Sequence, residues 1–347
     1  MAAAELAALG PGQWETRTRA LALEVLRDDG GFTVDDPRFS TAVVVGPSML
    51  STDGAEHDRH RRPFARAYRL DAVRSDHTDA VRADCDGLID AFAERGEAEL
   101  RRELAGPLAV LTMARALGLD DLPVATVLGW YEAIVAAVTV VSDGGEVPES
   151  GRAASARLAD HLRPALAAHG DLTPDEAVSN AAVLLFGGVE TTEGMIANAA
   201  LHLLSHPDER ALVEADRSLL PGAVSESLRL EPAAAFVDRY ATADVTLAGE
   251  PVRRGDLVRV SLRHANRDPA TFPDPERFDV RRPEARLQLA FAQGPHVCLG
   301  MHLARLEAAT ALDRLLDRLP GVELDPARPA AVAGDVFRKP PELWVRF

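Results

Sequence analysis

The segment FAQGPHVCLGMHLARLE constrains the chain more than any other, because it sets Cys298 just ahead of a predicted helix, with Gly294 and Gly300 around it. A helix N-terminus carries partial positive charge and free N–H groups, which favour a thiolate as ligand or nucleophile. Glycines let the backbone pass close to a large planar group. A lone cysteine before a helix is more often a small buried hydrophobe, so the surrounding pattern decides the reading. Cys85, in ADCDGLIDAF, has no metal-ligand neighbours and reads as a core thiol.

Two cysteines in 347 residues do not form the dense staple of a small secreted protein. The start, MAAAELAALG, lacks the basic-then-apolar order of a signal peptide, so a reducing cytoplasm is expected. A hydrophobic fraction of 47% suffices for a large core, and a net charge of −16 argues against nucleic-acid binding. Basic residues are nearly all arginine, with Lys339 the one lysine, which reads as coding bias rather than phosphate recognition. Two long apolar stretches, Val124 to Val141 and Ala181 to Leu204, carry Glu132 and Glu190 with Glu193. Charges at those depths are costly in a bilayer, so buried helices and no membrane are expected.

The first two-thirds reads as helices broken at Gly30-Gly31, Gly106-Pro107, Gly144-Gly145 and Gly170. Only residues 236–262 look strongly β-like, with VTLAGEPV and DLVRVSL separated by Arg253-Arg254-Gly255. Pro269, Pro273, Pro275 and Pro283 then enforce an irregular loop before a terminal helix. On that helix Leu312, Leu316 and Leu319 form the apolar stripe, with Glu307 and Arg314 on the far side. No repeat or clear linker interrupts the chain, so residues 1–347 read as a single domain.

In AAVLLFGGVETTEGMIANAALHLL, two interior glycines each cost about 1 kcal/mol relative to alanine, so something requires them. Gly187 and Thr191 are four apart and share a face. A close helix crossing is the bland explanation. Glu226 and Arg229 are three apart, and by spacing alone they are an ordinary surface ion pair. His57 and Arg61 are four apart on a helix that Asp53 and Glu56 start as a capping-box-like pair; singly, each is an ordinary surface group.

FAQGPHVCLG, continuing through Leu303, Ala304 and Arg305, closely resembles the heme-binding loop of the cytochromes P-450. Phe291, Gly294, His296, Cys298 and Gly300 match that loop, while Ala292 stands where many members have glycine. The resemblance implies a mainly α fold with a minor β-sheet, a triangular helical prism holding heme b between the long central helix and the cysteine loop. Cys298 would then be the iron ligand, pushing electron density that favours O–O cleavage. GGVETT looks like the oxygen-activation motif, with Gly187 and Gly188 opening the helix beside the heme and Glu190 and Thr191 delivering protons. His57, Arg61, Arg239 and His296 match propionate partners. Glu226 and Arg229 match a structural E-x-x-R pair, completed most plausibly by Arg277. Pocket positions by resemblance are Val183, Phe186, Gly187, Ala234, Ala235, Phe236 and Phe337, none charged, which implies a small, largely apolar substrate.

The resemblance runs from about residue 20 to the C-terminus. It implies a monooxygenase of secondary metabolism, fed by a ferredoxin and ferredoxin reductase. A peroxide-driven peroxygenase and a noncatalytic heme-binding or partner-organising relative are the alternatives; retention of Glu190 and Thr191 argues against both. The start lacks the usual proline-rich entry, and the stretches between Ser40 and His57 and before the oxygen-activation helix are short. The expectation is an open distal pocket, or one partly covered by another molecule.

Overall fold

The structure, a computed structural model, describes residues 5–119, 122–142, 144–166 and 171–347; the Gly170 break lies outside them. Its helices are α1 (Arg19–Arg27), α2 (Ser40–Val45), α3 (Gly54–Ala65), α4 (Leu70–Asp90), α5 (Gly106–Leu117), α6 (Val124–Ser142) and α7 (Glu149–Leu166). They continue as α8 (Pro174–Ser205), α9 (Pro207–Ala215), α10 (Leu220–Leu230), α11 (Leu262–Ala265) and α12 (Met301–Arg318).

Helix α8 is the axis of the fold. Thr173 caps its start: the hydroxyl accepts from the Glu176 N–H, and the Glu176 carboxylate accepts from the Thr173 N–H at 2.8 Å. Apolar residues on nearly every face bury α8 among α5, α7, α10 and α12. Its C-terminal half joins one apolar cluster with α4, α10 and α12, and its N-terminal half joins another with α5, α6 and α7. Ala181 to Leu204 is buried as expected. Val124 to Val141 is not: only 33% of that window is buried, and it is the one described helix long and apolar enough to cross a membrane.

A five-stranded sheet lies to one side, in the order β1 (Leu6–Gly10), β2 (Gln13–Thr16), β8 (Leu257–Ser261), β5 (Phe236–Ala241) and β3 (Phe32–Thr33). Its β1–β2 hairpin departs from the helical reading of this end, since LAALG has no strand pattern of its own; parallel pairing fixes β2 on β8, and β1 adds to the edge of β2. Strands β6 (Val245–Leu247) and β7 (Glu250–Val252) pair with each other through Ala248 and Gly249, both at positive φ. Strand β4 (Glu97–Glu99) pairs with β10 (Trp344–Arg346), which also pairs with β9 (Glu323–Leu324).

The proline-rich loop is pinned through α10. Arg229 and Glu226 are fully buried, joined by bonds of 2.7 and 2.8 Å, and Arg229 also donates to the carbonyls of Asn266, Pro275 and Arg277. The third member is Arg282, whose Nε donates to Glu226 Oε1 at 2.9 Å. Arg277 is corrected: its side chain is 61% exposed beside Glu209 and Asp279, and only its carbonyl faces the pair. The two arginines sit in turns without periodicity, so spacing could not tell which pointed inward. On α12, Glu307 and Arg314 are buried rather than on an outer face, and burial pushes the Glu307 carboxyl well up.

Truncating Arg282 to alanine should lower stability by about 2 kcal/mol, because a buried charge-assisted hydrogen bond is lost. Arg277→Ala should stay within about 0.5 kcal/mol of the parent. Urea denaturation of both variants checks this; equal midpoints would remove the assignment.

Candidate active site

The loop before α12 is shaped by its backbone. The Cys298 N–H donates to the Phe291 carbonyl at 2.9 Å, and the Gly300 N–H points at the Cys298 sulfur. Gly294 has φ +75°, and a Cβ there would sit 2.2 Å from the Leu26 carbonyl oxygen, so only glycine fits. Ala292 also lies in the left-handed region, at φ 57°, where a side chain costs about 1 kcal/mol. Burial pushes the Cys298 thiol pKa up, yet the residue is exposed. The side chain is thus set among protein atoms and still uncovered.

Helix α8 has an opening of its own. Leu184, Gly187, Gly188 and Thr191 share one face and are only half-buried, and a Cβ on Gly187 would meet nothing within 4 Å. Gly188 differs, since a Cβ there would lie 2.4 Å from Met113 Sδ. It is half-buried like Gly187 and also serves the crossing with α5. The Thr191 hydroxyl donates to the Gly187 carbonyl at 2.5 Å.

A polar rim comes from three other elements. On α3, burial drives His57 down to about 4, helped by His296 and Arg61, and its buried Nε2 has no partner. Arg61 donates to the Val297 carbonyl at 2.7 Å, tying α3 to the cysteine loop. Arg239, on β5, is 7% exposed, and burial lowers its pKa to about 10. His296 packs against His57 at a tilt of 53°, with ring centres 4.4 Å apart. Its Nε2 bonds Asp53 Oδ1 at 2.7 Å.

Asp53 makes no cap bond to α3, against the capping-box expectation; it also accepts from Thr33 and from the Val34 N–H. Burial pushes Asp53 up, but these bonds outweigh it and hold the carboxyl below its usual range. The result is a rim of desolvated cations in which, among the described residues, Arg61 and Arg239 donate hydrogen bonds to carbonyls, with Asp58, Asp53 and Asp238 acting on them through space. Partly desolvated cations whose hydrogen bonds go to carbonyls are well placed to take an anion. A flat group with an open metal site toward Cys298 and carboxylates toward this rim fits those residues.

Val183, Phe186 and Ala235 are buried, and Phe337 meets Phe186 edge-on with ring centres 5.7 Å apart. Ala234 bridges Phe337. Phe236 is corrected: it lies under the Arg259 guanidinium, 3.6 Å from its ring centre, while strand alternation puts Val237 on the Arg239 face. Lys339 was overlooked as a site residue. Its Nζ pairs with Glu190 Oε1 at 2.9 Å and bonds Glu193, whose other oxygen takes Arg101 Nε at 2.7 Å. Being the sole lysine was the available signal.

The Cytochrome P450 family model matches residues 152–328. Cytochrome P450 monooxygenase PikC of Streptomyces venezuelae is 36% identical over 320 residues, 84% of this chain and 76% of that protein. Nocardicin C N-oxygenase of Nocardia uniformis subsp. tsuyamanensis is 36% identical over 331 residues, 90% and 82% respectively. Among solved structures, the post-tailoring hydroxylase HmtN of himastatin biosynthesis superposes with a TM-score of 0.85 at 31% identity, covering 99% of this chain and 93% of that one. P450BioI, solved with a fatty-acid-ligated acyl carrier protein, gives 0.87 at 26% identity, with 96% and 92% covered. Fold and relatives together define an oxygen-incorporating oxidoreductase that binds heme through a cysteine thiolate. This chain belongs to the cytochrome P450 family.

The two glycines should respond oppositely to alanine. Gly187→Ala enters open space and should gain up to about 1 kcal/mol of helix propensity. Gly188→Ala must displace Met113 and should lose about 1 kcal/mol or more. Thermal unfolding of both variants decides; equal shifts would mean that the glycines share one role.

Proposed function

We propose that Cys298 Sγ is the iron ligand of a heme b, with His57 Nε2, Arg61, Arg239 and His296 holding its propionates, in a single cytoplasmic domain. When bound, the heme supplies the iron at which dioxygen is activated for insertion into a C–H or C=C bond. The supporting observation is a thiol set among protein atoms yet uncovered, together with a half-buried face of α8 where Gly187 leaves space. Coordination removes the thiol proton that burial otherwise retains. Val183, Phe186, Ala234, Ala235, Val237 and Phe337 exclude water and orient a small, largely apolar metabolite. Thr191 Oγ1, on the half-buried face of α8, passes protons supplied by Glu190. Exposed Val43 on α2 and Val140 on α6 support an uncovered distal edge that a partner closes.

Electrons would come from a ferredoxin and its reductase. Arg62, Arg66, Arg69 and Arg74 are exposed, make no ion pair among the described residues, and surround exposed Leu70 along α3 and α4. His302, four residues past Cys298, has its pKa lowered by burial, then by Arg305 and Arg74, so this basic edge reaches the cysteine side. An acidic ferredoxin matches it.

Reduced protein with carbon monoxide should show the red-shifted Soret band of a thiolate heme, and Cys298→Ser should lose it; an unshifted band in the parent would overturn the reading. Thr191→Ala should divert electrons to hydrogen peroxide, lowering product formed per NAD(P)H by about tenfold. Unchanged coupling would favour the peroxygenase alternative. Reversing Arg66 and Arg69 to glutamate should cut the association rate with ferredoxin by about tenfold at low salt, with peroxide-driven turnover unaffected.

A further inference from the structure

Lys339 belongs to a short hairpin that touches α8 twice. The hairpin is closed by bridging of Ala333 with Lys339 and turns at Gly334, where a Cβ would lie 2.1 Å from the Phe337 carbonyl oxygen. It is tied to the strand leading into β5: the Ala235 N–H donates to Val336 O and the Arg338 N–H donates to Ala233 O, each at 2.8 Å. Asn198 of α8 donates to the Arg338 carbonyl at 2.9 Å. Gly194 lets the hairpin come close, for a Cβ there would be 3.5 Å from Arg338 O and 3.6 Å from the Lys339 Cβ.

Two side chains of the hairpin, two residues apart, meet two residues of α8 one turn apart. Phe337 meets Phe186 in the apolar pocket, and Lys339 meets Glu190 outside it. The ion cluster is asymmetric. Glu193 has both Arg101 and Lys339, whereas Lys339 is the only cation paired directly with Glu190 among the described residues. A lysine ammonium is a point charge on a flexible stem, so it can keep Glu193 while leaving Glu190, which a guanidinium fork does less readily.

We infer that this hairpin couples filling of the pocket to proton supply, with Phe337 as the element the substrate displaces and Lys339 as the positioning residue that holds or frees Glu190. This rests on the reading that Glu190 and Thr191 carry protons. In the empty pocket the Phe337–Phe186 contact seats the hairpin, and Lys339 keeps Glu190 paired. An apolar molecule between the two rings shifts Phe337, the backbone carries Lys339 toward Glu193, and Glu190 Oε1 becomes free to take a proton from solvent. Protons then reach Thr191 only when something is present to be oxidised. The ligand can drive the shift only by its preference for the displaced hairpin.

The single lysine makes the test specific. Heme-loaded protein is pulsed with trinitrobenzenesulfonate, with and without saturating 4-phenylimidazole, and modification of the Lys339 peptide is followed by mass spectrometry. The ligand should speed Lys339 modification at least about fivefold, with the N-terminal amine unchanged as an internal control. In Phe337→Ala the ligand should still shift the Soret band, but its effect on Lys339 should fall to about onefold. A Soret shift with unchanged Lys339 labelling in the parent, or a full effect in Phe337→Ala, would overturn the coupling. Failure to form a thiolate heme would instead overturn the functional reading, so the two failures are separable.

Discussion

A protein interior gains dispersion energy wherever atoms touch, so a cavity through its middle must be held open against collapse. Its walls therefore depend on contacts made behind them. Gly294 is locked beneath the Leu26 carbonyl, and Arg61 and Asp53 hold the cysteine loop from α3 and its N-cap. The opposite wall is α8, started by its capping box and packed into both apolar clusters. The buried Glu226–Arg229–Arg282 group fixes the loop that leads back to the cysteine. Such a group contributes little net stability, but it is costly to break and so specifies one loop conformation.

The helical class and the cysteine loop were legible because their signals are local. Glycines around Cys298, the apolar length of α8 and the E-x-x-R spacing each need only a few neighbouring residues. What was misjudged turned on orientation. Arg277 and Arg282 share one loop, yet only Arg282 turns its guanidinium to Glu226. Phe236 and Val237 differ by one step along a strand, which separates the Arg259 side from the Arg239 side.

Other features lay beyond any local pattern. Asp53 looks like a helix cap, but its best partner is 243 residues away. The second strand, Gln13–Thr16, is held by pairing across the whole chain with β8, and the first strand forms against it. Lys339 appeared only as a compositional oddity, because nothing near it in sequence indicates that it returns to α8. Burial of Glu307 and Arg314 on α12 ran against their polarity, and Arg314 is compensated by Asp86 on α4 and by Asp317.

The long reach of the Asp53–His296 and Arg61–Val297 contacts bears on how the molecule is made. They span 243 and 236 residues, so α3 and its N-cap emerge from the ribosome long before the loop they hold. Closing so large a loop is entropically costly and comes late. Until residue 298 has emerged, the early helices have no second wall to face, and the cation rim has no His296 to complete it. The nascent chain can build much of its scaffold during translation, but the receptacle itself is a post-translational product, and loading it is a step for the finished polypeptide.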